Sequence, residues 1–496
     1  MVALLLVMLT QSPTSLQRAA QTISPDDIRR RINIIADDSM KGRDTPSPEL
    51  DKVAAYIAGE YRRLGLKPGG DRGTFIQHYP VNRVQILADS SVAFVHGGPG
   101  ATLKYGTDFA FADNMFESGN YAGELVQVTG SLTGATADTT ALAGKMILIV
   151  APRLRGALRE RVLSWKPAAI VVVTNAPDSV WTRSTSSSNR AQLRDPSRQV
   201  GGPLLLRVRA ASLQRVGIAL GADFGTSQAS GMFAVKPLGA QLHVHARIQP
   251  AGRRLAPNVV GILEGSDPTL RNEYVVFSAH MDHIGVAGPR GSGGCQARGT
   301  DSICNGADDD GSGTVAVVEI AEAFAGMNPR PKRSIIFLNV SGEEKGLWGS
   351  EFFANHPAVP ITNIVADLNM DMIGRNWRDT IVAIGKEHSD LGATLNRIAA
   401  AHPELDMQPI DDLWPDQDFY RRSDHFNFAK KGVPILFFFN GTHEDYHQVG
   451  DSPDKIDTEK ESRVAQLVFY LGAEVANAAE RPKWNPDSYR TIVGSK

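Results

Sequence analysis

Between Tyr274 and His447 a carboxylate or a histidine closes one apolar run after another. The endings read His280-Met281-Asp282, then Gly342-Glu343-Glu344, then Asp371, then Tyr446-His447. An acidic turn, Gly306-Ala307-Asp308-Asp309-Asp310-Gly311-Ser312-Gly313, falls among them. Two imidazoles and at least three carboxylates suffice for two adjacent divalent cations, with one further carboxylate left to move protons. A pair of cations can activate water and hold a tetrahedral intermediate, so the chemistry this inventory favours is hydrolysis. Taken singly, a histidine after a strand is a surface or packing residue and a Glu-Glu pair is a solvated turn. Their recurrence at successive strand ends is what points to a metal site.

Such residues meet only if the fold brings them together. In open α/β sheets the carboxyl ends of the strands converge on one crevice, so residues roughly 100 positions apart can face each other. From 258 onward the pattern supplies the needed alternation. Tyr274–Ser278, Ser334–Val340, Ile364–Met370 and Val433–Phe439 read as buried strands, and Thr314–Phe324, 389–401 and 461–479 as helices. Continuous Val/Ile/Phe runs require cover on both sheet faces. Upstream, Ile28, Ile32 and Ile35 share a helical face behind a Ser24-Pro25-Asp26-Asp27 cap. Val53 to Leu64 gives a second helix, stopped by Gly65, and 73–95 alternates as strands do.

From 111 to 239 Gly, Thr and Ala dominate, separated by β-rich runs such as Lys145–Ala151 and Ala168–Thr174, with no catalytic constellation. A Ser/Arg/Asn-rich stretch at 183–200 reads as a mobile loop. The expected organisation is a signal segment at 1–20, a catalytic domain from 21–110 plus 240–496, and an inserted domain at 111–239.

The chain has 496 residues, 42% apolar and 21% charged, with a formal net charge of -2. That is ordinary for a soluble globular protein and gives no reason to expect a nucleic acid or an anionic membrane as partner. Met1–Leu9 is apolar but too short for a bilayer span, which needs about 20 residues. With Gln17-Arg18-Ala19-Ala20-Gln21 behind it, the start resembles an export signal lacking a basic first region, or else a buried N-terminal helix. Nothing later reads as a membrane span, and no pattern sets an oligomeric state. Cys295 and Cys304, nine positions apart in one Gly-rich loop, read as a loop-closing disulfide if the protein is exported and otherwise as two free thiols. Metal ligation by them is disfavoured, because an oxygen-rich site suits harder cations.

These residues resemble family M28, the co-catalytic zinc peptidases that include aminopeptidases and glutamate carboxypeptidases. The resemblance is loose over 25–95 and close over 250–460. It rests on Ser278–Gly285, Asn305–Gly313, Ser341–Ser350, Asn369–Ile373 and Asp445–His447. It implies a mixed, mostly parallel α/β sheet sandwiched by helices, the zinc exopeptidase fold. The insert resembles a β-rich α/β protease-associated domain.

By position, the resemblance implies two zinc ions bridged by Asp309, one completed by His280 and Asp371 and the other by Glu344 and His447. A shared carboxylate sets such ions roughly 3.5–4 Å apart. Glu343 would be the general base for the water between them, and Tyr446 would stabilise the oxyanion. Asp282 would orient His280, or else cap its loop. Spacing alone does not choose among Asp308, Asp309 and Asp310. Asp424-His425 is expected to support the pocket, and His283, His443 and Glu444 to line its rim. Arg421 or Arg422 could meet a substrate carboxylate, or be solvated. The implied activity is an exported aminopeptidase acting on peptides. The alternatives are a glutamate-releasing carboxypeptidase and an inactive receptor-like module.

Overall fold

Runs in which nearly every residue is apolar become strands buried on both sides. The computed structural model describes residues 14–96, 101–129, 139–150, 156–188, 191–196, 200–218, 233–288 and 294–494. It divides into two units, one built from 1–80 and 255–496 and the other from 81–254.

In the first unit the strands Ser334–Val340, Tyr274–His280, Ile364–Met370 and Ile435–Phe438 lie side by side and run parallel. Register keeps their ends level: His280 is opposite Val340, Ser278 opposite Asn369, and Met370 opposite Phe438. Thr380–Ile384 extends the sheet antiparallel on one side, and Val259–Leu263 pairs antiparallel with Ser334–Val340 on the other. Beyond it, Val260 N–H donates to Phe75 O, joining the neighbouring strand that enters through Ile76.

Alternate side chains go to opposite faces of a strand, and two cores follow. Val275, Phe277 and Ala279 join one core with the helices Pro25–Ile35, Pro48–Arg63, Gly313–Ala325 and Thr458–Asn477. Val276, Ile336 and Leu338 join the other with Phe353 and Phe428, from Trp348–Asn355 and His425–Ala429. Ser24 caps Pro25–Ile35 by accepting the Asp27 N–H at 3.2 Å. No described helix is long and apolar enough to cross a membrane.

Met1–Leu9 lies outside the described residues. The small-residue stretch behind it is a helix, Ser15–Ala20, closed by a Thr14/Gln17 capping box, with Ala19 and Ala20 buried in the first core. Cys295 and Cys304 are joined by a disulfide, which packs with Ile284 and Val449.

The second unit has its own sheet, ordered Ala101–Lys104, Val92–His96, Ala234–Ala246, Gly119–Thr129, Met146–Val150, Ala169–Thr174, Leu204–Arg209, Phe109–Phe111. The run from Gly119–Thr129 to Leu204–Arg209 is parallel and sits between two apolar cores. This unit is wider than the 111–239 insert expected from sequence. Residues 81–110 and 240–254 belong to it because Val92–His96 pairs with Gln241–His245. The loop expected at 183–200 is also shorter. The helix Asp178–Ser188 reaches into it, anchored by the buried Trp181, whose indole N–H donates to Gly106 O at 2.8 Å. Arg194, in the strand Gln192–Arg194, donates to the carbonyls of Asn114 and Phe116.

Candidate metal centre

The level ends of the four parallel strands deliver the chemistry. His280 ends one strand, Glu343 and Glu344 occupy the turn after Val340, Asp371 follows Met370, and Tyr446 and His447 lie in the loop after Phe438. Asp309 comes from the turn that feeds the helix Gly313–Ala325. Two glycines make the approach possible. Gly306 has φ +63°, and a Cβ there would sit 2.4 Å from His283 Cγ. Gly342 has φ +72°, and its Cβ would sit 2.5 Å from the Tyr79 hydroxyl.

Asp309 stands between two sets of donors. His280 Nε2 is 3.4 Å from Asp309 Oδ1 and 3.7 Å from Asp371 Oδ2. His447 Nε2 is 3.1 Å from Asp309 Oδ2 and 3.3 Å from Glu344 Oε2. Zinc bonds of about 2.0–2.1 Å arranged tetrahedrally give ligand–ligand edges of about 3.3 Å. The separations therefore fit donors gathered around cations. Asp309 Oδ2 and Asp371 Oδ1 are buried without a hydrogen-bond partner, a costly arrangement that a cation relieves. The residues fit the metals that the sequence implies.

The side chains flanking Asp309 are already engaged. Asp310 accepts the His280 N–H at 3.0 Å and the Gly313 N–H at 2.9 Å. Asp308 accepts the Gly374 N–H at 2.7 Å and the Ser312 hydroxyl at 3.0 Å, and lies 3.2 Å from His443 Nε2. Asp451 accepts the backbone N–H groups of Asp308 and Asp309. The buried Arg43 donates to the carbonyls of Ile35, Met281, Asn305 and Gly306, tying together the loops that carry His280 and Asp309. Of the three aspartates, Asp309 is the one free to meet metal.

Burial works against a charged imidazole at His447, but the Asp309 and Glu344 carboxylates outweigh it and lift its pKa to about 10. Burial and neighbouring Asp309 push Glu344 up, yet His283 and His447 hold it at about 2. Glu343 lies well above the usual carboxylate range. Burial is the main cause, Glu344, Asp424 and Asp371 add to it, and His280 opposes it. Its backbone N–H donates at 3.3 Å to Asp282 Oδ1, and Asp282 Oδ2 accepts the Thr45 hydroxyl at 2.7 Å. Asp282 thus sits between Glu343 and His280, whose Nδ1 is 3.1 Å from the Asp282 carbonyl and 3.7 Å from its carboxylate. The Tyr446 ring stacks on His447 with centroids 3.9 Å apart, and both line one cleft with His280, Asp309, Glu343 and Asp371.

Asp371 is held from behind by a polar chain. Ser423 donates to Asp371 Oδ2 at 2.9 Å, Asn369 Nδ2 donates to Ser423 at 3.3 Å, and Ser278 Oγ lies 2.8 Å from Asn369 Oδ1 and 2.7 Å from Asp367 Oδ1. One hydroxyl proton serves only one of those last two acceptors, so a protonated Asp367 supplies the missing hydrogen. Burial accordingly raises the Asp367 pKa to about 8. A carboxyl whose pKa is higher folded than unfolded stabilises the fold below its unfolded value and loses that contribution as pH rises through its folded value. Metal-free protein should therefore lose stability between about pH 4 and pH 8. Asp367→Asn should flatten that decline in denaturant titrations; an unchanged slope would assign it to other groups.

Two residues expected on the rim are interior. His283 is fully buried, with Nδ1 2.8 Å from Glu344 Oε1 and 3.7 Å from Asp309 Oδ2. It forms a second potential metal-holding group with them. Its place three residues after His280, in the turn that leaves the strand, was the available signal. The His443 side chain is turned inward against Asp308, whereas Glu444 is exposed. Asp424 and His425 are buried behind the cleft, with His425 stacked 4.3 Å from Phe437. Arg421 pairs with Asp418 at 2.9 Å, while Arg422 lines the cleft itself.

Comparison with known proteins agrees with this geometry. Residues 258–472 match the model of Peptidase family M28. A protein of Pyricularia oryzae named "Probable zinc metalloprotease" is 26% identical over 265 residues, 45% of this chain and 50% of that protein. A Pyrenophora tritici-repentis protein of the same name is 40% identical over 224 residues, 37% of this chain and 46% of its own length. An Arthroderma otae protein named "Probable leucine aminopeptidase" is 26% identical over 230 residues, 45% and 58% of the two chains. The match thus spans about half the length of these relatives. Among solved structures, the aminopeptidase from Aneurinibacillus sp. strain AM-1 superposes with a TM-score of 0.53 at 17% identity, covering 94% of this chain and 97% of that one. A zinc aminopeptidase from Bacillus subtilis gives 0.50 at 16%, covering 93% and 97%. These two likenesses establish the fold. The stretch that matches the model of Peptidase family M28, residues 258–472, contains all four parallel strands and every proposed metal donor.

Proposed function

We propose that this protein is a metallopeptidase that holds two zinc ions and removes N-terminal residues from peptides. The observation that carries the reading is that Asp309 faces His280 and Asp371 with one oxygen and His447 and Glu344 with the other, with Glu343 in the same cleft. His280, Asp309 and Asp371 would hold one ion, and Asp309, Glu344 and His447 the other. Ions bound there supply Lewis-acid polarisation of the scissile carbonyl and lower the pKa of water. Glu343 takes a proton from the attacking water and returns it to the leaving amine. The Tyr446 hydroxyl donates to the oxyanion, its ring fixed by stacking on His447. Asp282 orients the His280 imidazole. Met372, Phe419, Phe437 and Phe439 line the cleft and offer an apolar side chain its place.

The names of the relatives agree with this reading. Export is part of the proposal, since the Cys295–Cys304 disulfide suits an oxidising compartment. The test is metal analysis of the purified protein, with a panel of aminoacyl amides and a blocked dipeptide assayed with and without chelator. The expected result is two zinc ions per chain and chelator-sensitive cleavage of the free-amine substrates only. Cleavage that survives complete chelation would overturn the metal reading, and preference for the blocked dipeptide would favour a carboxypeptidase.

A further inference from the structure

Among the described residues, the cleft contains a cation with no carboxylate partner. Arg422 lines it beside Tyr446 and Phe419, and its guanidinium carbon sits 4.4 Å from the Phe419 ring centroid, within cation–π range. Phe419 is itself fixed, its ring 4.8 Å from Phe439 and 5.7 Å from Trp414. The adjacent Arg421 is neutralised by Asp418 at 2.9 Å. Among the described residues no carboxylate lies within ion-pair distance of Arg422. Of the acids that line the cleft with it, Asp309 and Asp371 belong to the proposed metal centre and Glu343 to the proposed proton path.

A planar guanidinium parked on an aromatic face keeps its N–H fork free for a two-point contact with a carboxylate. We propose that Arg422 is a specificity-determining residue that recognises a substrate carboxylate close to the scissile bond. The inference rests on the aminopeptidase reading of the same cleft. Two sources offer that chemistry: the side chain of an acidic N-terminal residue, or the free C-terminus of a very short peptide. Both place one carboxylate within a residue or two of the carbonyl under attack.

Matched pairs separate the sources. One pair is glutamyl against glutaminyl p-nitroanilide, and the other is leucyl-leucine against leucyl-leucinamide. Hydrogen bonds to charged groups contribute about 1.5–3 kcal/mol, so wild-type kcat/KM should favour the carboxylate member of one pair by about tenfold or more. In Arg422→Gln that ratio should fall to near one, and Arg422→Lys should restore part of it. Because each ratio is taken within one variant, a general loss of activity cancels. Calorimetric titration of the same pairs onto metal-loaded Glu343→Gln protein gives the affinity ratio without turnover, again with and without the Arg422 change. Equal affinity within both pairs, or a preference that persists in Arg422→Gln, overturns the proposal. Absence of any amide cleavage by the metal-loaded wild type would instead defeat the aminopeptidase reading, and the titration would still decide the role of Arg422.

Discussion

Glu343→Gln is expected to lower kcat by about 10²–10⁴-fold, the range that positioned acid–base help contributes, while both metals stay bound. The amide keeps the shape and the backbone N–H that donates to Asp282, so the surroundings are unchanged and only proton uptake is lost. Steady-state kinetics with parallel metal analysis separates the two effects. Near-wild-type turnover would remove Glu343 from the proton path. Loss of metal along with rate would make it a ligand instead. Its raised pKa in the metal-free protein has burial as its main cause, and bound cations would favour the ionised form that a base requires.

Asp309→Ala should have the broader effect on binding. Each donor set uses one Asp309 oxygen, at 3.4 Å from His280 Nε2 and 3.1 Å from His447 Nε2. Truncation therefore strips a donor from both ions at once, and zinc content should fall from two per chain toward none. Loss of an outer-shell partner alone weakens metal affinity by about 10–100-fold, and loss of a shared ligand should exceed that. His447→Ala, by contrast, should spare the ion on His280 and Asp371. Metal analysis after dialysis distinguishes the two patterns, and two ions retained in Asp309→Ala would refute the bridging role. The same variant should lose zinc-dependent thermal stabilisation, which at a hundredfold excess over the dissociation constant amounts to about 2.7 kcal/mol.

Much of the first unit could be read from sequence because its strands are mainly Val, Ile, Leu and Phe, with few charged residues inside them. Ser334–Val340 and Ile364–Met370 are runs whose ends are marked by the residues that follow them. Once the strand ends are known, parallel order places His280, Glu343, Asp371 and His447 on one side of the sheet. What could not be read depends on partners remote in sequence. Asp308 and Asp310 look like Asp309 until Gly374, His443 and Gly313 are seen to occupy them. His283 looks like a spare rim histidine until the turn at Gly306 closes over it. That 92–110 goes with the second unit was illegible because an alternating strand fits either sheet equally well, and only the pairing of Val92–His96 with Gln241–His245 decides where it belongs.

The bond from Val260 N–H to Phe75 O ties two neighbouring strands together toward one border of the metal-bearing sheet. The chain departs along one of them at Pro80 and comes back along the other at Leu255. Departure and return are thus side by side, a geometry that tolerates insertion. Much of the 174 residues from Val81 to Arg254 could be exchanged or elaborated while the four parallel strands, which lie elsewhere in the sheet, keep their ends level. Modularity of this kind lets a lineage vary an accessory unit while leaving the chemistry where it is.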